Sequence, residues 1–512
     1  MKFSLLYKNY TEQTDNLEDP LIEEMSNALY DLSVDKAVKI FCPNKEGFVY
    51  FMDVLKRPLK SVGDIKYRQD ILMDFIAMPK LLEDLKLIFK SYDSLQSDWH
   101  EMRSSIYTYG VPNTVRGILD STYESLKVTA SFARNTVSYF RSIHDTIEKY
   151  DVKSEGLKGI KSFCAEMTEN ESLDEISRIS SYFVRDSIDA YEFKVRTETD
   201  DILTIRSASL SEVTELADRS LGNSLKKLIG SFGKSRSADD TPETDMGEFH
   251  LEEARSILSE AIYELYTVLS SITGNIYEFF RGVSGELSFY DGALNYCRLL
   301  SSAGMPMSMP LMSDMDEDIF RANDIYDIHL IIEGLDRESI VTNDIRIEKD
   351  TDGVLFRGPN TSGKTSLLRA IGTAQIFAQA GLPVTAAAAN ISIRNAVYTQ
   401  FSSAEKEFNV GDVAGRFEGE VQEIARILDN LVPYSLILLN ETFQTTAYAE
   451  GAEGIQHILE VLPRAKTKFA FVTRLVQLFD QLNPRSVKMM EFKEEEQDAY
   501  RVFEIKQAPV GN

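Results

Sequence analysis

The spacing of apolar residues changes character along the chain. Through roughly the first 300 residues, apolar side chains recur three and four positions apart. That spacing places them on one face of an α-helix, where they can pack against a second helix. We therefore expect a mainly α-helical region of long helices that pack along one another. The longest stripe comprises Leu251, Leu258, Ile262, Leu265, Leu269, Ile272, Ile276 and Phe279.

Two segments of this region lack the helical spacing. Residues 191–196 and 202–206 alternate in polarity around a polar turn, which predicts a β-hairpin near 191–206. Residues 235–247 are polar and acidic around Pro242, which predicts a mobile loop.

The pattern is different after about Ile325. Short apolar runs there alternate with helical stretches, which is typical of an α/β domain. We place the boundary near Asn323. The sequence thus predicts a helical region over 1–322 and an α/β domain over 323–512.

A phosphate-binding motif lies at the start of the α/β domain. Gly353–Arg357 is a predicted buried strand, and it leads into a G-x-x-x-x-G-K-[ST] loop and then a helical pattern. Glycines let backbone N–H groups point at phosphate oxygens, Lys364 supplies positive charge for the outer phosphates, and the Thr365 hydroxyl is placed to ligate Mg²⁺. The predicted ATP-binding residues are Gly358, Pro359, Asn360, Thr361, Ser362, Gly363, Lys364, Thr365 and Ser366.

A second apolar strand, Tyr434–Leu439, ends in Asn440 and Glu441. Ligands of open α/β sheets bind at the carboxyl ends of strands, so these side chains should reach the metal and the attacking water. Glu441 is the candidate general base. Asn440 stands where an acidic metal ligand is usual, and we assign it to the Mg²⁺ site with Thr365. The predicted reaction is hydrolysis of ATP to ADP and phosphate.

Charge and cysteine content limit the choice of partners. The formal net charge is −26, which lowers the expectation of tight nonspecific DNA binding. Cys42, Cys164 and Cys297 lie far apart, without disulfide or zinc spacing, which indicates a reducing cytoplasm. No apolar window is long enough to cross a bilayer, so we expect no membrane partner.

These motifs resemble the ATPase domain of the MutS family of mismatch-repair proteins. Gly358–Ser366 resembles the family's G-P-N-x-x-G-K-S-T loop, and Thr342–Asp344 resembles the short motif that precedes the first ATPase strand. Leu439–Glu441 is similar to the D-E strand, and Phe471–Arg474 to the F-x-T-H strand. A weaker resemblance to the family's core segment extends over residues 35–72. The resemblance implies an ABC-like P-loop NTPase domain after a helical core and lever region.

Departures from the family pattern qualify these expectations. The chain starts about where the family's core domain starts, so we expect a shortened member without mismatch-recognition and connector domains, and no mismatch specificity on DNA. In the family, the segment occupied here by Gly415 and Arg416 reaches the nucleotide of a partner subunit. Arg416 is either an arginine finger acting in trans or a surface charge. Asn440 replaces the metal-binding Asp and Arg474 replaces the switch His, so weakened catalysis is expected.

The leading functional hypothesis is a MutS-like ATPase that works as a homodimer and couples ATP binding and hydrolysis to DNA binding or a DNA-repair-type function. The alternative is a nucleotide-gated structural or regulatory protein with little turnover and no mismatch specificity. A third candidate, an ABC-type ATPase that partners a membrane transporter, is disfavoured by the Gly-Pro-Asn loop and by the lack of a clear Leu-Ser-Gly-Gly-Gln signature.

Overall fold

The computed structural model describes most of the chain. The described residues are 3–8, 20–108, 115–169, 191–199, 205–215, 248–359, 362–401, 413–443, 448–475, 477–497 and 500–507. The loop predicted over 235–247 lies outside them, as do Asn360 and Thr361 of the predicted ATP-binding loop.

Helices and strands follow one another as the two patterns predict. The described α-helices are α1 (Pro20–Asp31), α2 (Val34–Phe41), α3 (Lys45–Leu55), α4 (Val62–Ala77), α5 (Pro79–Thr108), α6 (Val115–Glu148), α7 (Glu155–Thr168), α8 (Glu248–Ser302), α9 (Ile328–Ile332), α10 (Lys364–Gln379), α11 (Val413–Asp429), α12 (Tyr448–Val461) and α13 (Leu478–Gln481). The described strands are β1 (Tyr191–Thr199), β2 (Ile205–Glu215), β3 (Leu311–Ser313), β4 (Phe320–Ile325), β5 (Asn343–Ile347), β6 (Gly353–Arg357), β7 (Ala388–Ser392), β8 (Val397–Phe401), β9 (Leu436–Asn440), β10 (Lys468–Val472), β11 (Val487–Gln497) and β12 (Tyr500–Gln507). The expected combination of a mainly helical region and an α/β region is confirmed.

The chain divides into two compact units. The first holds the described residues of Met1–Phe3, Lys80–Val152 and Leu157–Ser284, and the second holds those of Ser4–Pro79, Lys153–Gly156 and Gly285–Asn512. Helices α1 to α4 therefore share a unit with the α/β residues. The division into domains 1–322 and 323–512 stays a prediction.

Aromatic side chains hold the helices of the first unit together. Tyr92 on α5 stacks on Phe280 of α8 with ring centroids 3.8 Å apart. Trp99 on α5 stacks on Phe132 of α6 at 4.8 Å, and Phe140 of α6 lies 5.2 Å from Phe280. Large buried aromatic rings contribute much of the apolar area that stabilises a helical core. The three helices are thus joined by side chains at helical spacing.

The predicted apolar stripe lies on α8. Ile262, Leu269, Ile276 and Phe279 are all buried, as the spacing requires. Near residues 191–206, β1 and β2 pair antiparallel, from Tyr191 opposite Glu215 to Thr199 opposite Ile205. The second strand is therefore longer than its sequence pattern predicts. In the described part of the chain, no helix has both the length and the apolar character of a membrane span.

A six-stranded sheet forms the centre of the second unit. Its strand order is β12-β11-β6-β10-β9-β8, and every adjacent pair is parallel except β11 and β12. A four-stranded sheet has the order β3-β7-β4-β5. Leu355, Ile437, Leu439, Phe469 and Phe471 belong to one buried cluster in the larger sheet. Their strands read as continuous apolar runs because parallel strands of such folds are buried on both faces.

The first described residues are anchored inside this unit. The backbone N–H of Leu5 donates to the Glu286 carboxylate at 2.6 Å, and the Ser4 hydroxyl donates to the other carboxylate oxygen. The Tyr290 hydroxyl donates to the Leu5 carbonyl at 2.7 Å, and the Tyr67 hydroxyl to the Ser4 carbonyl at 2.8 Å. Every one of these side chains is buried. A segment without regular structure is thus fixed by polar groups of α4 and α8.

Burial of Glu286 makes stability depend on pH. Burial raises the pKa of its carboxyl from 4.5 to about 7, against the opposing hydrogen bonds from Ser4 and Leu5. The folded chain therefore keeps a proton between these pH values that the unfolded chain releases, and its free energy of unfolding falls as pH rises through this interval. The measured quantity is the melting temperature of the wild type minus that of Glu286→Gln. We expect this difference to be smaller at about pH 8 than at about pH 5. A difference that does not change with pH would contradict this assignment.

Candidate nucleotide-binding site

The predicted phosphate-binding loop connects β6 to α10, as the sequence pattern requires. Gly363 has φ 85°, a left-handed conformation that a side chain disfavours. At Gly358 a Cβ atom would lie 2.7 Å from the Cβ of Phe492 on β11, so only glycine fits without displacing that strand. Gly363 therefore lets the chain turn into the helix, whereas Gly358 lets the loop pack against the sheet.

Lys364 is the first residue of α10 and its side chain is buried. Its Nζ donates to the carbonyl oxygens of Gly358 at 3.0 Å and Pro359 at 2.5 Å. Burial lowers the pKa of Lys364, the negative charge of Glu441 raises it, and the positive charge of Arg474 lowers it. The ammonium group thus contacts the first two residues of the loop and interacts electrostatically with Glu441 and Arg474.

Ser362 offers a further polar group to a ligand. Its side chain is buried, and its Oγ has no hydrogen-bond partner within the described residues. A buried hydroxyl without a partner costs free energy unless a ligand or an ordered water completes it. A phosphate oxygen is such an acceptor. The residues of the loop therefore fit a phosphate group.

Thr365 and Asn440 lie together, one at the start of α10 and the other at the end of β9. The Thr365 hydroxyl donates to the Asn440 side-chain oxygen at 3.3 Å. Hydroxyl and amide oxygens are hard ligands of the kind that Mg²⁺ binds, usually with several waters and substrate phosphates. The described residues contain no group of three or more His, Cys, Asp or Glu side chains that could hold a metal ion. The pair fits a cation that arrives with a phosphate ligand.

Glu441 follows β9 directly, in a left-handed backbone conformation with φ 56°. Its N–H donates to the carbonyl of Val472, the last residue of β10, at 2.8 Å. A non-glycine residue with such a φ stores strain, and strain of this kind clusters at functional sites. The sheet thus holds the Glu441 backbone at its carboxyl edge.

Arg474 forms a two-point ion pair with Glu441. Its Nε donates to one carboxylate oxygen at 3.1 Å and a terminal nitrogen donates to the other at 3.2 Å. The sequence singles out Arg474 only as a replacement for the family's switch His, and it does not predict this pair. The available signal was its position just after β10, at the same sheet edge as Glu441.

Arg416 lies near the amino end of α11, and only its backbone position is described. One turn later, the Glu420 carboxylate accepts a hydrogen bond from the N–H of Phe443 at 2.9 Å. Phe443 follows Glu441 by two residues. The amino-terminal half of α11 is therefore tied to the segment that leaves β9.

A cavity of about 190 Å³ adjoins the loop. Ser362, Gly363, Ser366 and Leu367 line part of it, and residues from 325–343 together with Phe492 line the rest. Most of the latter are apolar, with a few polar groups among them. The cavity thus offers both apolar surface and polar groups next to the phosphate-binding loop.

Comparison with known proteins identifies the family. A model described as MutS domain V matches residues 354–510, and a model described as MutS2 N-terminal domain matches residues 60–303. The chain belongs to the MutS family. The first match includes every residue that the sequence predicted for the nucleotide site, and also Arg474.

Curated relatives agree with this family. The chain is 30% identical to "DNA mismatch repair protein MutS" of Prochlorococcus marinus (strain NATL2A), over 46% of this chain and 26% of that protein. It is 30% identical to "Endonuclease MutS2" of Lactobacillus gasseri over 28% of this chain and 18% of that protein. It is 28% identical to "DNA mismatch repair protein MSH3" of Lodderomyces elongisporus, over 44% of this chain and 21% of that protein. The matched part thus spans about a quarter or less of the length of these relatives.

Proposed function

We propose that this chain binds ATP with Mg²⁺ through a P-loop and hydrolyses it to ADP and phosphate. The observation that carries the proposal is the loop between β6 and α10, where buried Lys364 lies beside Thr365, Asn440 and Glu441. The family match adds support, because it extends over the whole of this region. An ABC-like architecture for the domain belongs to the same proposal.

Each part of the site has a chemical task in this proposal. The loop from Gly358 to Ser366 holds the phosphates through backbone N–H groups, the Ser362 hydroxyl and the Lys364 ammonium. Thr365 and Asn440 hold Mg²⁺, which neutralises phosphate charge when it is bound. The adjoining cavity takes the nucleoside.

Glu441 takes the proton of the attacking water in the proposed reaction. General bases must lie within hydrogen-bond reach of the proton they accept, and Glu441 lies at the sheet edge where the outer phosphate would be held. Lys364 stabilises negative charge on the transferring phosphoryl group. The reaction thus depends on charges that the sheet and α10 position together.

We further propose that the protein works as a homodimer and that Arg416 completes the site of the partner subunit. This role is supported by the resemblance of the Gly415–Arg416 segment to the family segment that reaches the nucleotide of a partner subunit. Within one chain, Glu420 ties the same helix to the segment after Glu441. An arginine supplied in trans stabilises charge that develops in the transition state.

DNA is the proposed partner, on the strength of the names of the mismatch-repair relatives. We propose binding without mismatch specificity. We also expect this binding to be weak, because the net charge of −26 disfavours tight binding to a phosphate polyanion. A cytoplasmic location completes the proposal and is supported by the free, buried cysteines Cys42, Cys164 and Cys297.

The second candidate function is a nucleotide-gated regulatory protein with little turnover. One observation favours it: the proposed general base Glu441 is engaged at both oxygens by Arg474. A carboxylate held in this way is less available to water. Slow hydrolysis and a role as an ATP-dependent switch are therefore compatible with the same site.

Lys364→Ala should weaken ATP binding by roughly tenfold or more, because a charge-assisted hydrogen bond to phosphate is lost. Isothermal titration with ATP and Mg²⁺ measures the change. Lys488→Ala is the control, since this lysine lies in the same sheet but donates to the Arg346 carbonyl, away from the loop. Equal ATP affinity in the wild type and Lys364→Ala would refute the proposed site.

Arg416→Ala should lower ATP turnover by roughly 10³-fold while sparing ATP affinity, as expected for an arginine finger. Mixing Arg416→Ala with Lys364→Ala subunits tests whether Arg416 acts in trans. A mixed dimer has one site with an intact loop, and the arginine for that site comes from the Lys364→Ala subunit. Partial recovery of turnover is expected. Mixed dimers that form but stay inactive would contradict the trans arrangement.

Matched and mismatched duplexes should bind with affinities that differ by less than about tenfold, which is about 1.4 kcal/mol. Fluorescence anisotropy with both duplexes, with and without ATP and over a series of salt concentrations, measures this difference. Preference for the mismatch by more than that margin would refute the lack of specificity. Failure to bind any DNA would refute the proposed partner.

A further inference from the structure

We propose that Arg474 is a positioning residue that holds the Glu441 carboxylate and thereby limits the rate of ATP hydrolysis. This inference rests on the proposed function, in which Glu441 takes a proton from water. It concerns the regulation of that site, and it follows from the pair that Arg474 and Glu441 form.

The pair engages both oxygens of the carboxylate. One oxygen accepts from Nε at 3.1 Å and the other accepts from a terminal nitrogen at 3.2 Å, and the same nitrogen lies 3.0 Å from the first oxygen. Two parallel hydrogen bonds fix the plane of the carboxylate as well as its distance. A proton taken from water neutralises the carboxylate and weakens its attraction to the guanidinium, so proton transfer to Glu441 works against this contact.

Backbone contacts hold both partners in place. The Glu441 N–H donates to the Val472 carbonyl at 2.8 Å, and the Thr473 N–H donates to the Phe356 carbonyl at 3.0 Å. The Thr473 hydroxyl also accepts the N–H of Leu475 at 3.0 Å. The chain just before Arg474 is therefore fixed to the sheet, and Leu475 just after it is bonded back to Thr473. Separation of the Glu441 carboxylate from the Arg474 guanidinium therefore requires rotation of one of these two side chains.

The size of the expected effect follows from the exposure of the pair. The side chains of Arg474 and Glu441 are 44% and 24% exposed, so solvent screens their attraction. The rate gain from breaking such a pair should be modest, roughly fivefold, which corresponds to about 1 kcal/mol.

Arg474→Lys is the decisive variant. Lysine keeps the positive charge beside the phosphate site, but it cannot donate two parallel hydrogen bonds to the two carboxylate oxygens. Single-turnover hydrolysis, with protein in excess over ATP, reports the chemical step without product release. We expect its rate constant to rise about fivefold, with ATP affinity changed by less than about twofold.

Arg321→Lys is a matched control. Arg321 forms the same kind of two-point pair with Glu348, and its side chain is 45% exposed while that of Glu348 is 31% exposed. This pair joins β4 to residues just after β5, in the other sheet. Loss of a surface Arg–Glu pair as such should therefore leave the hydrolysis rate unchanged.

A second background tests whether Arg474 acts through Glu441. In Glu441→Gln, which lacks the proposed base, adding Arg474→Lys should produce no rise in rate. An Arg474→Lys rate equal to or below that of the wild type, or an equal rise in the Glu441→Gln background, would overturn the inference while leaving the proposed ATPase intact. Absence of hydrolysis in the wild type and in Arg474→Lys, even at saturating ATP, would overturn the proposed enzyme activity itself.

Discussion

The parallel register of β6, β10 and β9 is the constraint on which the candidate site depends. Val472 at the end of β10 lies opposite both Phe356 on β6 and Asn440 on β9. The three strands therefore end level with one another, and the residues that follow them emerge at one edge of the sheet. Lys364, Asn440, Glu441 and Arg474 are far apart in sequence, yet this register brings them to the same place.

Charge at that edge is arranged around one carboxylate. Lys364 is buried in the loop and bonded to carbonyl oxygens, Glu441 carries the negative charge, and Arg474 pairs with it. The buried Ser362 hydroxyl has no hydrogen-bond partner among the described residues. A bound phosphate would add negative charge and hydrogen-bond acceptors to a site that offers donors. The same arrangement explains how a chain with net charge −26 can present a local site for an anion.

Much of this site could be predicted from the sequence, because its loop and strand are local patterns. The order of strand, loop and helix around Gly358 follows from apolar runs and glycine spacing, and the end of β9 follows from the run before Asn440. The pair between Arg474 and Glu441 could not be predicted in this way. It depends on the register of neighbouring strands and on the rotamers of two side chains, neither of which leaves a periodic pattern. The same holds for Glu286, whose buried carboxyl anchors residues near the start of the chain.

The most direct test is a crystal structure with Mg²⁺ and a non-hydrolysable ATP analogue. We predict that the phosphates contact Lys364 and the backbone of the loop between β6 and α10. Mg²⁺ should lie beside Thr365 and Asn440, and the nucleoside should lie in the cavity next to Ser366. An analogue bound elsewhere, or a loop that stays empty at saturating concentrations, would contradict the assignment of this sheet edge as an ATP site.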